Sequence, residues 1–341
     1  MKKILFIRRD NIGDLVCTTP AIRAAREKYP DAKIGVLVNT YNASILENNP
    51  DINEFYVYEK AKHVPEKNKL SVWWSNLKVL LGIRRERYDI AIGCGSYSKR
   101  LARYTLHTGA KERIGYLQKE SGNPGSYTFP LYEEADNIHE VERTFNLLAP
   151  LGIKGTPPAL RLRPSDVETE RIRKLIQKEG PGKEGPLVAF HISSRRPENR
   201  WPADRFIRLG ERIANNLHAD ILLLWSPGSE RNPYHPGDDE KAGIIMSSLK
   251  PGPFSLTTTR LTELIAALSI ADLVVCCDGG AMHIAAALGK PIVTIWGSTN
   301  PGRWKPWGAE HILLQTENKK AEDISVDTVL GAIEKILPAQ L

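Results

Sequence analysis

The sequence lacks an apolar run long enough to cross a bilayer, which takes about 20 residues. Its best candidate, LKVLLGI, is interrupted by polar neighbours, so a membrane-spanning protein is not expected. The opening MKKILFIRRDNIGD places basic residues before a short apolar run, but no small-residue cleavage site follows. We therefore expect no signal peptide and a cytoplasmic protein.

Cysteine is scarce and metal-binding patterns are missing. The four cysteines show no C-x-x-C spacing, which argues against a zinc site or a disulfide framework and predicts buried, reduced thiols. No Asp-x-Asp pair is present to hold a divalent ion on a diphosphate. The loop 225–242 contains His235, Asp238, Asp239 and Glu240, but acids are favoured at a helix start in any case, so capping explains them better than coordination. We expect neither a metal site nor a cofactor.

What the sequence does have is the size and composition of a two-domain globular protein. Its 341 residues exceed one ordinary core, and its 41% hydrophobic and 26% charged residues are close to globular averages. The net charge is +7, and residues 1–155 hold 24 Lys+Arg against 18 Asp+Glu, whereas 156–341 hold 23 against 22. An anionic partner is therefore expected on the first half, with ordinary solvated lysines as the alternative.

Short apolar strand patterns alternate with helical patterns through both halves. They are KILFIRR, KIGVLV, EFYVY and DIAIGC in the first half, and PLVAFHIS, ADILLLWS, DLVVCC, PIVTIWG and HILLQT in the second. Strands that are apolar throughout and separated by helices predict α/β domains with parallel sheets covered on both faces. We predict domains at 1–155 and 156–325, and a C-terminal helix within 326–341 that packs back on the domains.

Three loops that follow predicted strands carry the residues with chemical potential, because ligands of parallel sheets bind beyond the carboxyl ends of the strands. In the first loop, RRDNIGD, Gly13 permits a tight turn and Asp14 begins a helix whose dipole keeps the carboxylate ionised. Such an acid can accept a proton from a hydroxyl that becomes a nucleophile. Helix capping by Asp10 or Asp14 is the structural alternative.

The second loop, HISSRRPENRWP, suits a diphosphate. It offers the hydroxyls of Ser193 and Ser194 and the forked donors of Arg195, Arg196 and Arg200. The alternative interpretation is an exposed basic loop that precedes a helix.

The third loop, CDGGAMH, predicts an anion-binding site, which we call the anion seat. Gly279 and Gly280 let a ligand approach the backbone, and the helix AMHIAAAL presents its first-turn amides to a phosphate. Asp278 could cap this helix and hold sugar hydroxyls. His283 could donate to the same phosphate, with a packing histidine as the alternative.

Taken together, IGDLVCTTPAI near the N-terminus and DGGAMHIAAALGKPIVTIWGSTNP near the C-terminus resemble the heptosyltransferase family, glycosyltransferase family nine, in the same order along essentially the whole chain. The resemblance implies a GT-B fold, in which two Rossmann-like domains face a central cleft and bind the acceptor and the nucleotide sugar respectively. It implies an inverting, metal-independent transfer of a heptose from ADP-heptose to the lipopolysaccharide inner core. It also implies peripheral association with the cytoplasmic face of the inner membrane, and no nucleic acid partner is expected.

The resemblance assigns Asp14 as the catalytic base. The residues that it assigns to the donor are Ser193, Ser194, Arg200, Glu230, Thr259, Asp278, Gly279, Gly280 and His283. Where the family often has a lysine two residues before Trp-Pro, this sequence has Asn199, so an arginine must take its role.

Basic and aromatic residues of the first half complete the hypothesis. Lys99, Arg100 and Arg103 suit an acceptor that bears carboxylates and phosphates. Trp73 and Trp74 on the preceding helix are candidates for contact with lipid or a partner, and a core position is expected for at least one of them.

Three other functions stay open at this point. A family-nine transferase could use another nucleotide sugar, and a GT-B-like sugar-nucleotide epimerase would share the diphosphate seat but transfer nothing. A non-catalytic module that has kept the fold is the third.

Overall fold

A computed structural model describes residues 1–60, 68–118, 124–132, 137–180, 185–232 and 236–337. The chain divides into two compact units, Met1–Leu162 and Arg163–Leu341. Among the described residues, none of the helices combines the length and the apolar character needed to cross a membrane.

The first unit is a parallel sheet with helices between its strands. Its strands are β1 (Lys3–Ile7), β2 (Lys33–Asn39), β3 (Glu54–Tyr58), β4 (Ile90–Gly93), β5 (Glu112–Leu117) and β6 (Phe129–Tyr132). Its helices are α1 (Ile12–Val16), α2 (Thr19–Lys28), α3 (Lys69–Glu86), α4 (Lys99–His107) and α5 (Glu140–Asn146). The strand order is β3-β2-β1-β4-β5-β6, with every pairing parallel.

The second unit repeats this plan. Its strands are β7 (Leu187–His191), β8 (Asp220–Trp225), β9 (Phe254–Thr257), β10 (Leu273–Cys277), β11 (Ile292–Trp296) and β12 (His311–Gln315). Its helices are α6 (Asp166–Glu179), α7 (Ala203–Asn216), α8 (Asp239–Ser248), α9 (Leu261–Ile270), α10 (Gly280–Ala287), α11 (Pro301–Trp304) and α12 (Val326–Ile336). The strand order is β12-β11-β10-β7-β8-β9, again parallel throughout.

Both sheets change winding direction at one place, and that place positions the candidate site. In the first unit the first strand, β1, pairs with β2 on one side and β4 on the other; in the second unit, β7 pairs with β8 and β10 in the same way. Loops that leave neighbouring strands at such a switch point diverge to opposite faces and leave a crevice for a ligand. The predicted α/β fold class with parallel sheets is confirmed.

Complete burial of the central strands explains their continuous apolar sequences. Ile4 to Ile7 of β1 and Leu273 to Cys276 of β10 are fully buried. In the second unit, Trp201 anchors the core, with its ring 4.8 Å from that of Phe206 and its Nε1 donating to the carbonyl of Ile324 at 2.9 Å. Helix α12 packs into the same core, to which it contributes Val329, Leu330 and Ile333.

The cysteines lie where the apolar patterns place them. Cys17, Cys94, Cys276 and Cys277 are all buried free thiols. Burial raises the pKa of each thiol, which keeps it protonated and unreactive.

Candidate active site

The second and third predicted loops meet in the second unit because β7 and β10 are neighbours. The Ser194 hydroxyl donates to the carbonyl of Asp278 at 3.1 Å, which ties the loop after β7 to the loop after β10. The Ser193 hydroxyl accepts from the amide of Ser226, at the end of β8, at 3.0 Å. Both serines are nearly buried. Their hydroxyls therefore fix the relative positions of three strand ends.

Helix α10 begins at the glycine pair and presents its amides at this junction. Gly279 is the N-cap residue, and no side chain caps the helix. The interpretation of Asp278 as a helix cap is therefore wrong, because its carboxylate is held elsewhere. Its Oδ2 accepts from Asn199 Nδ2 at 2.9 Å and from the Thr299 hydroxyl at 2.7 Å. An uncapped helix start with a positive dipole end favours an anion.

Asn199, at the position where a lysine was expected, joins three loops. It is 1% exposed, and it donates to Asp278 and to the Thr299 hydroxyl, the latter at 3.0 Å. Its Oδ1 accepts from the Gly297 amide at 3.0 Å. Gly297 is required at this approach, since a Cβ there would lie 2.0 Å from the carbonyl oxygen of Glu198. Asn199 is thus a structural clamp, and the positive charge of the seat comes from other residues.

Burial raises the pKa of Asp278, and the hydrogen bond from Thr299, the charges of Arg196 and Arg195 and the hydrogen bond from Asn199 oppose that rise. Both arginines lie on the exposed part of the loop after β7. Their charges therefore reach the seat at the start of α10.

Arg200 is engaged by carboxylates. Its Nε donates to the carbonyl of Ser194 at 2.8 Å, and its Nη1 pairs with Glu230 and lies 3.7 Å from Asp238 Oδ1. Arg200 and Glu230, both predicted donor ligands, are therefore partners of each other here. A bound anion would compete with Glu230 for the guanidinium.

In the first unit, Asp14 lies on α1 directly after the end of β1. Arg8 Nη2 donates to Asp14 Oδ1 at 2.5 Å and to Glu140 Oε1 at 2.7 Å. The backbone amide and the side-chain amide of Asn11 donate to Asp14 Oδ2 at 3.0 and 2.9 Å. The capping alternative is thus realised, because Asn11 and Asp14 form a capping box, but one carboxylate oxygen is also bound by a buried arginine.

Electrostatics keep Asp14 ionised. Burial by itself would raise the pKa of Asp14, but the charge of Arg8 and the hydrogen bonds from Asn11 and Arg8 bring it below the usual value. The Asp14 side chain keeps 13% of its surface exposed, whereas those of Arg8 and Glu140 keep 1% each. Asp14 is therefore the member of this trio that a substrate can reach.

These geometries can be set beside known proteins. The family described as Glycosyltransferase family 9 (heptosyltransferase) matches residues 77–333, about three quarters of the chain. The chain belongs to glycosyltransferase family 9. The resemblance read from the two sequence motifs is thereby confirmed, and the protein is a glycosyltransferase.

Full-length relatives agree with this assignment. Lipopolysaccharide heptosyltransferase 3 of Escherichia coli is 24% identical over 96% of this chain and 97% of its own length. The structure of the glycosyl transferase family 9 from Veillonella parvula DSM 2008 has 22% identity and a TM-score of 0.84, and covers 98% of this chain and 97% of that one. E. coli ADP-heptose lps heptosyltransferase II has 22% identity and a TM-score of 0.77, with coverages of 99% and 98%. The GT-B prediction is confirmed by these folds.

The three basic residues predicted for the acceptor of this family 9 glycosyltransferase lie together on α4. They border a cavity of about 480 Å³ between α3 and α4, which we name the α3–α4 groove. Its lining residues are Tyr58, Trp73, Asn76, Leu77, Leu80, Lys99, Arg100, Arg103, Tyr104 and His107. The groove therefore combines aromatic and aliphatic walls with a cationic rim.

Arg9 links the groove to the loop that carries Asp14. Its guanidinium lies 3.8 Å from the ring centroid of Tyr104 and 4.8 Å from that of Tyr58. Both tyrosines line the groove, so Arg9 stacks against its wall while its neighbour Arg8 holds Asp14.

The two remaining predicted donor residues, Thr259 and His283, make contacts within the fold of the second unit. The Thr259 hydroxyl donates to Glu263 Oε2 at 2.9 Å, within the start of α9, so this group serves the helix end. His283 is 3% exposed on α10, with its ring 6.0 Å from that of Trp304. His283 is therefore packed inside the fold, and its predicted contact with the donor phosphate stays a prediction.

Several buried charges at these strand ends have little or no sequence signal. Arg8 follows an apolar strand, which hints at a functional position, but Glu140 is 132 residues away and is paired with it only by the fold. Lys241 on α8 donates to the carbonyl of Ile192 at 3.1 Å beneath the Ser193 loop. Burial lowers the pKa of Lys241, and it lowers that of His191 to about 4, so the histidine is neutral at physiological pH.

The described residues include no set of side chains arranged to coordinate a metal ion. No group of three or more His, Cys, Asp or Glu side chains there is arranged to hold an ion. In the loop 225–242, Asp239 accepts from the Trp225 indole at 2.8 Å and from the Gly228 amide at 2.8 Å. His235 lies outside the described residues.

Proposed function

We propose that this glycosyltransferase moves a heptose from ADP-heptose to an anionic inner-core acceptor of lipopolysaccharide, with inversion and without a metal ion. The observation that carries the proposal is the Asp14 carboxylate, which Arg8 and Asn11 keep ionised at the mouth of the first sheet. Family membership and relatives named as lipopolysaccharide and ADP-heptose enzymes support the sugar and the acceptor class.

The second unit binds the donor in this proposal. The diphosphate is received by the first-turn amides of α10 at Gly279 and Gly280, and the charges of Arg195, Arg196 and Arg200 offset its charge. The same groups stabilise the negative charge that develops on the ADP leaving group. Arg200 would exchange its contact with Glu230 for a phosphate oxygen, which frees Glu230 to accept from ribose hydroxyls.

The first unit binds the acceptor and supplies the base. Asp14 accepts the proton of the acceptor hydroxyl as the hydroxyl oxygen attacks the anomeric carbon from the face opposite the diphosphate. The bond between the anomeric carbon and the diphosphate oxygen breaks, ADP leaves, and the configuration inverts. Lys99, Arg100 and Arg103 at the rim of the α3–α4 groove bind acceptor phosphates or carboxylates.

The decisive experiment replaces the base. Asp14→Asn keeps the size of the side chain but cannot accept a proton, so we expect kcat with ADP-heptose to fall by about 100-fold or more, as the loss of a general base should. ADP binding, measured by calorimetry, should change little because the donor seat is in the other unit. Inversion is checked by NMR of the product anomer, and metal independence by activity in excess EDTA.

Three results would contradict the proposal. Unchanged turnover in Asp14→Asn would remove Asp14 from its role. A thermal shift produced by UDP- or GDP-sugars and absent with ADP-heptose would overturn the donor. An epimerised nucleotide sugar that forms without acceptor would favour the epimerase.

A further inference from the structure

Helix α3 presents apolar side chains to solvent on the side away from its sheet. Of its 18 residues, only Val72 and Ile83 are buried. Leu70 is 72% exposed, Trp74 56% and Leu81 44%. Their spacing of four and seven residues puts them on one face of the helix, which we name the outer stripe of α3. The expectation that one of the two tryptophans is a core residue is wrong, since Trp73 is also 56% exposed.

The outer stripe is distinct from the α3–α4 groove. The groove takes Trp73, Leu77 and Leu80 from α3, which occupy the neighbouring face at spacings of three and four residues. Leu70, Trp74 and Leu81 do not line it. An acceptor in the groove would therefore leave the outer stripe uncovered.

The charges around the outer stripe have one sign. Lys78 and Arg85 lie on the same face at four-residue steps, and neither forms an ion pair within the described part of the chain. From Lys69 to Arg85 helix α3 contains no acidic residue, and helix α4 contains none either. An apolar face of leucine and tryptophan flanked by basic residues is typical of a helix that lies in the interface of an anionic bilayer.

We propose that the outer stripe of α3 docks this enzyme on an anionic lipid surface. Leu70, Trp74 and Leu81 enter the interfacial region, and Lys78 and Arg85 bind lipid phosphates. The inference deepens the proposed function, on which it rests for its purpose, because it names the surface by which a lipid-linked acceptor would be reached. A second copy of the chain fits this face less well, since two such faces would place like charges against each other.

The test is vesicle flotation of the full chain, without donor or acceptor. We expect binding to phosphatidylcholine vesicles that contain phosphatidylglycerol, weaker binding at high salt, and little binding to pure phosphatidylcholine. Leu70→Ala/Trp74→Ala should reduce the partition coefficient by about tenfold or more. Lys78→Gln/Arg85→Gln should reduce it by roughly 30-fold, from the loss of two charges at the surface.

A matched control removes exposed apolar groups elsewhere. Val167→Ala/Ile244→Ala alters residues that are 81% and 53% exposed on the second unit, and it should bind vesicles like the unaltered chain. Thermal melts check that every variant is folded. Because the altered side chains are exposed, we expect the substitutions to leave the melting temperature close to that of the unaltered chain. Transfer to a water-soluble acceptor fragment should be retained by Leu70→Ala/Trp74→Ala, because neither residue lines the groove.

The proposal would be overturned if Leu70→Ala/Trp74→Ala bound vesicles as strongly as the unaltered chain. Equal binding to neutral and anionic vesicles would overturn it as well. A dimer that light scattering shows to dissociate in Leu70→Ala/Trp74→Ala, with vesicle binding retained, would assign the face to a second copy and overturn it too. Failure of ADP-heptose as donor would refute the proposed function while leaving the vesicle result intact.

Discussion

At the scale of single residues, Arg8 controls the protonation of Asp14. It is 1% exposed and hydrogen-bonded to two carboxylates, of which Glu140 is equally buried, and its Nε lies 3.5 Å from a third carboxylate, that of Asp10. The charged trio is stable only while complete, because a buried carboxylate that loses its partner costs several kcal/mol. Arg8 is therefore a positioning residue whose effects should be visible in pH dependence as well as in stability.

The first residue-scale prediction concerns pH. The ionised form of Asp14 stabilises the fold above its unfolded pKa, close to 3.8, and this contribution is lost as pH falls through the lower folded pKa. In Arg8→Gln the burial of Asp14 is no longer opposed by a charge, so its pKa rises and the acid limb of kcat should move up by about one pH unit or more. Arg8→Lys keeps the charge and should leave the limb nearer its original place. An acid limb that does not move in Arg8→Gln would separate Arg8 from catalysis.

The same substitution predicts a loss of stability. Arg8→Gln removes the cation that pairs with the buried Glu140, and we expect the free energy of unfolding to fall by about 3–5 kcal/mol in urea denaturation. Arg8→Gln/Glu140→Gln should recover part of this loss, because one buried carboxylate is then neutral. No recovery in the double variant would show that packing, and not charge, dominates at this position.

Asn199 gives a third residue-scale prediction. Asn199→Ala removes donors to Asp278 and Thr299 and an acceptor for the Gly297 amide, so stability should fall by about 1–3 kcal/mol. ADP affinity should fall as well, because the loops after β7, β10 and β11 lose their common tie. Thr316→Ala is the control, because it removes a half-buried hydroxyl whose hydrogen bonds stay within the segment after β12. Calorimetry that finds unchanged ADP affinity in Asn199→Ala would limit the clamp to a structural role.

At the scale of elements, the approach of loops sets the shape of the donor seat. Gly297→Ala would push a methyl group against the Glu198 carbonyl at 2.0 Å and Asn199 Oδ1 at 2.6 Å, and we expect a clear drop in Tm and in ADP affinity. Gly331→Ala is the matched control on α12, where a Cβ meets nothing within 4 Å. It should stabilise by about 0.5–1 kcal/mol, as alanine does in a helix interior. Equal effects of the two substitutions would contradict the close approach at Gly297.

Element prediction from sequence succeeds where burial is complete on both faces. The strands β1, β7 and β10 are apolar throughout and were predictable for that reason. Strands β5, β6 and β9 are absent from the predicted set. β6 has no buried residue and β9 only Phe254, whereas β5 is buried from Ile114 to Leu117 but begins with charged residues and contains a glycine. The edge strands β3 and β12 were predicted although neither has a buried residue, so edge position alone does not decide which strands a sequence reveals.

At the scale of the whole molecule, the two units carry different proposed roles. If the second unit alone holds the nucleotide, hydrogen exchange with saturating ADP should slow amides in the loops after β7, β10 and β11. Amides of α3 and α4, which border the groove of the first unit, should be unaffected. Protection that appears only in the first unit would reverse the assignment of donor and acceptor. The predicted division of roles stays a prediction until that measurement.

The sequence by itself determined the α/β class, the alternation of strands and helices, and the glycine and acid motifs that place Asp14, Gly279 and Gly280 at helix starts. These follow from local patterns, because burial period and turn chemistry act over a few residues. Only the tertiary structure decided that Asn199 clamps Asp278, that Glu140 shares Arg8 with Asp14, and that Trp74 faces solvent. Those outcomes depend on which strand ends and helix faces become neighbours across 79 to 132 residues of chain, and no local pattern encodes that distance.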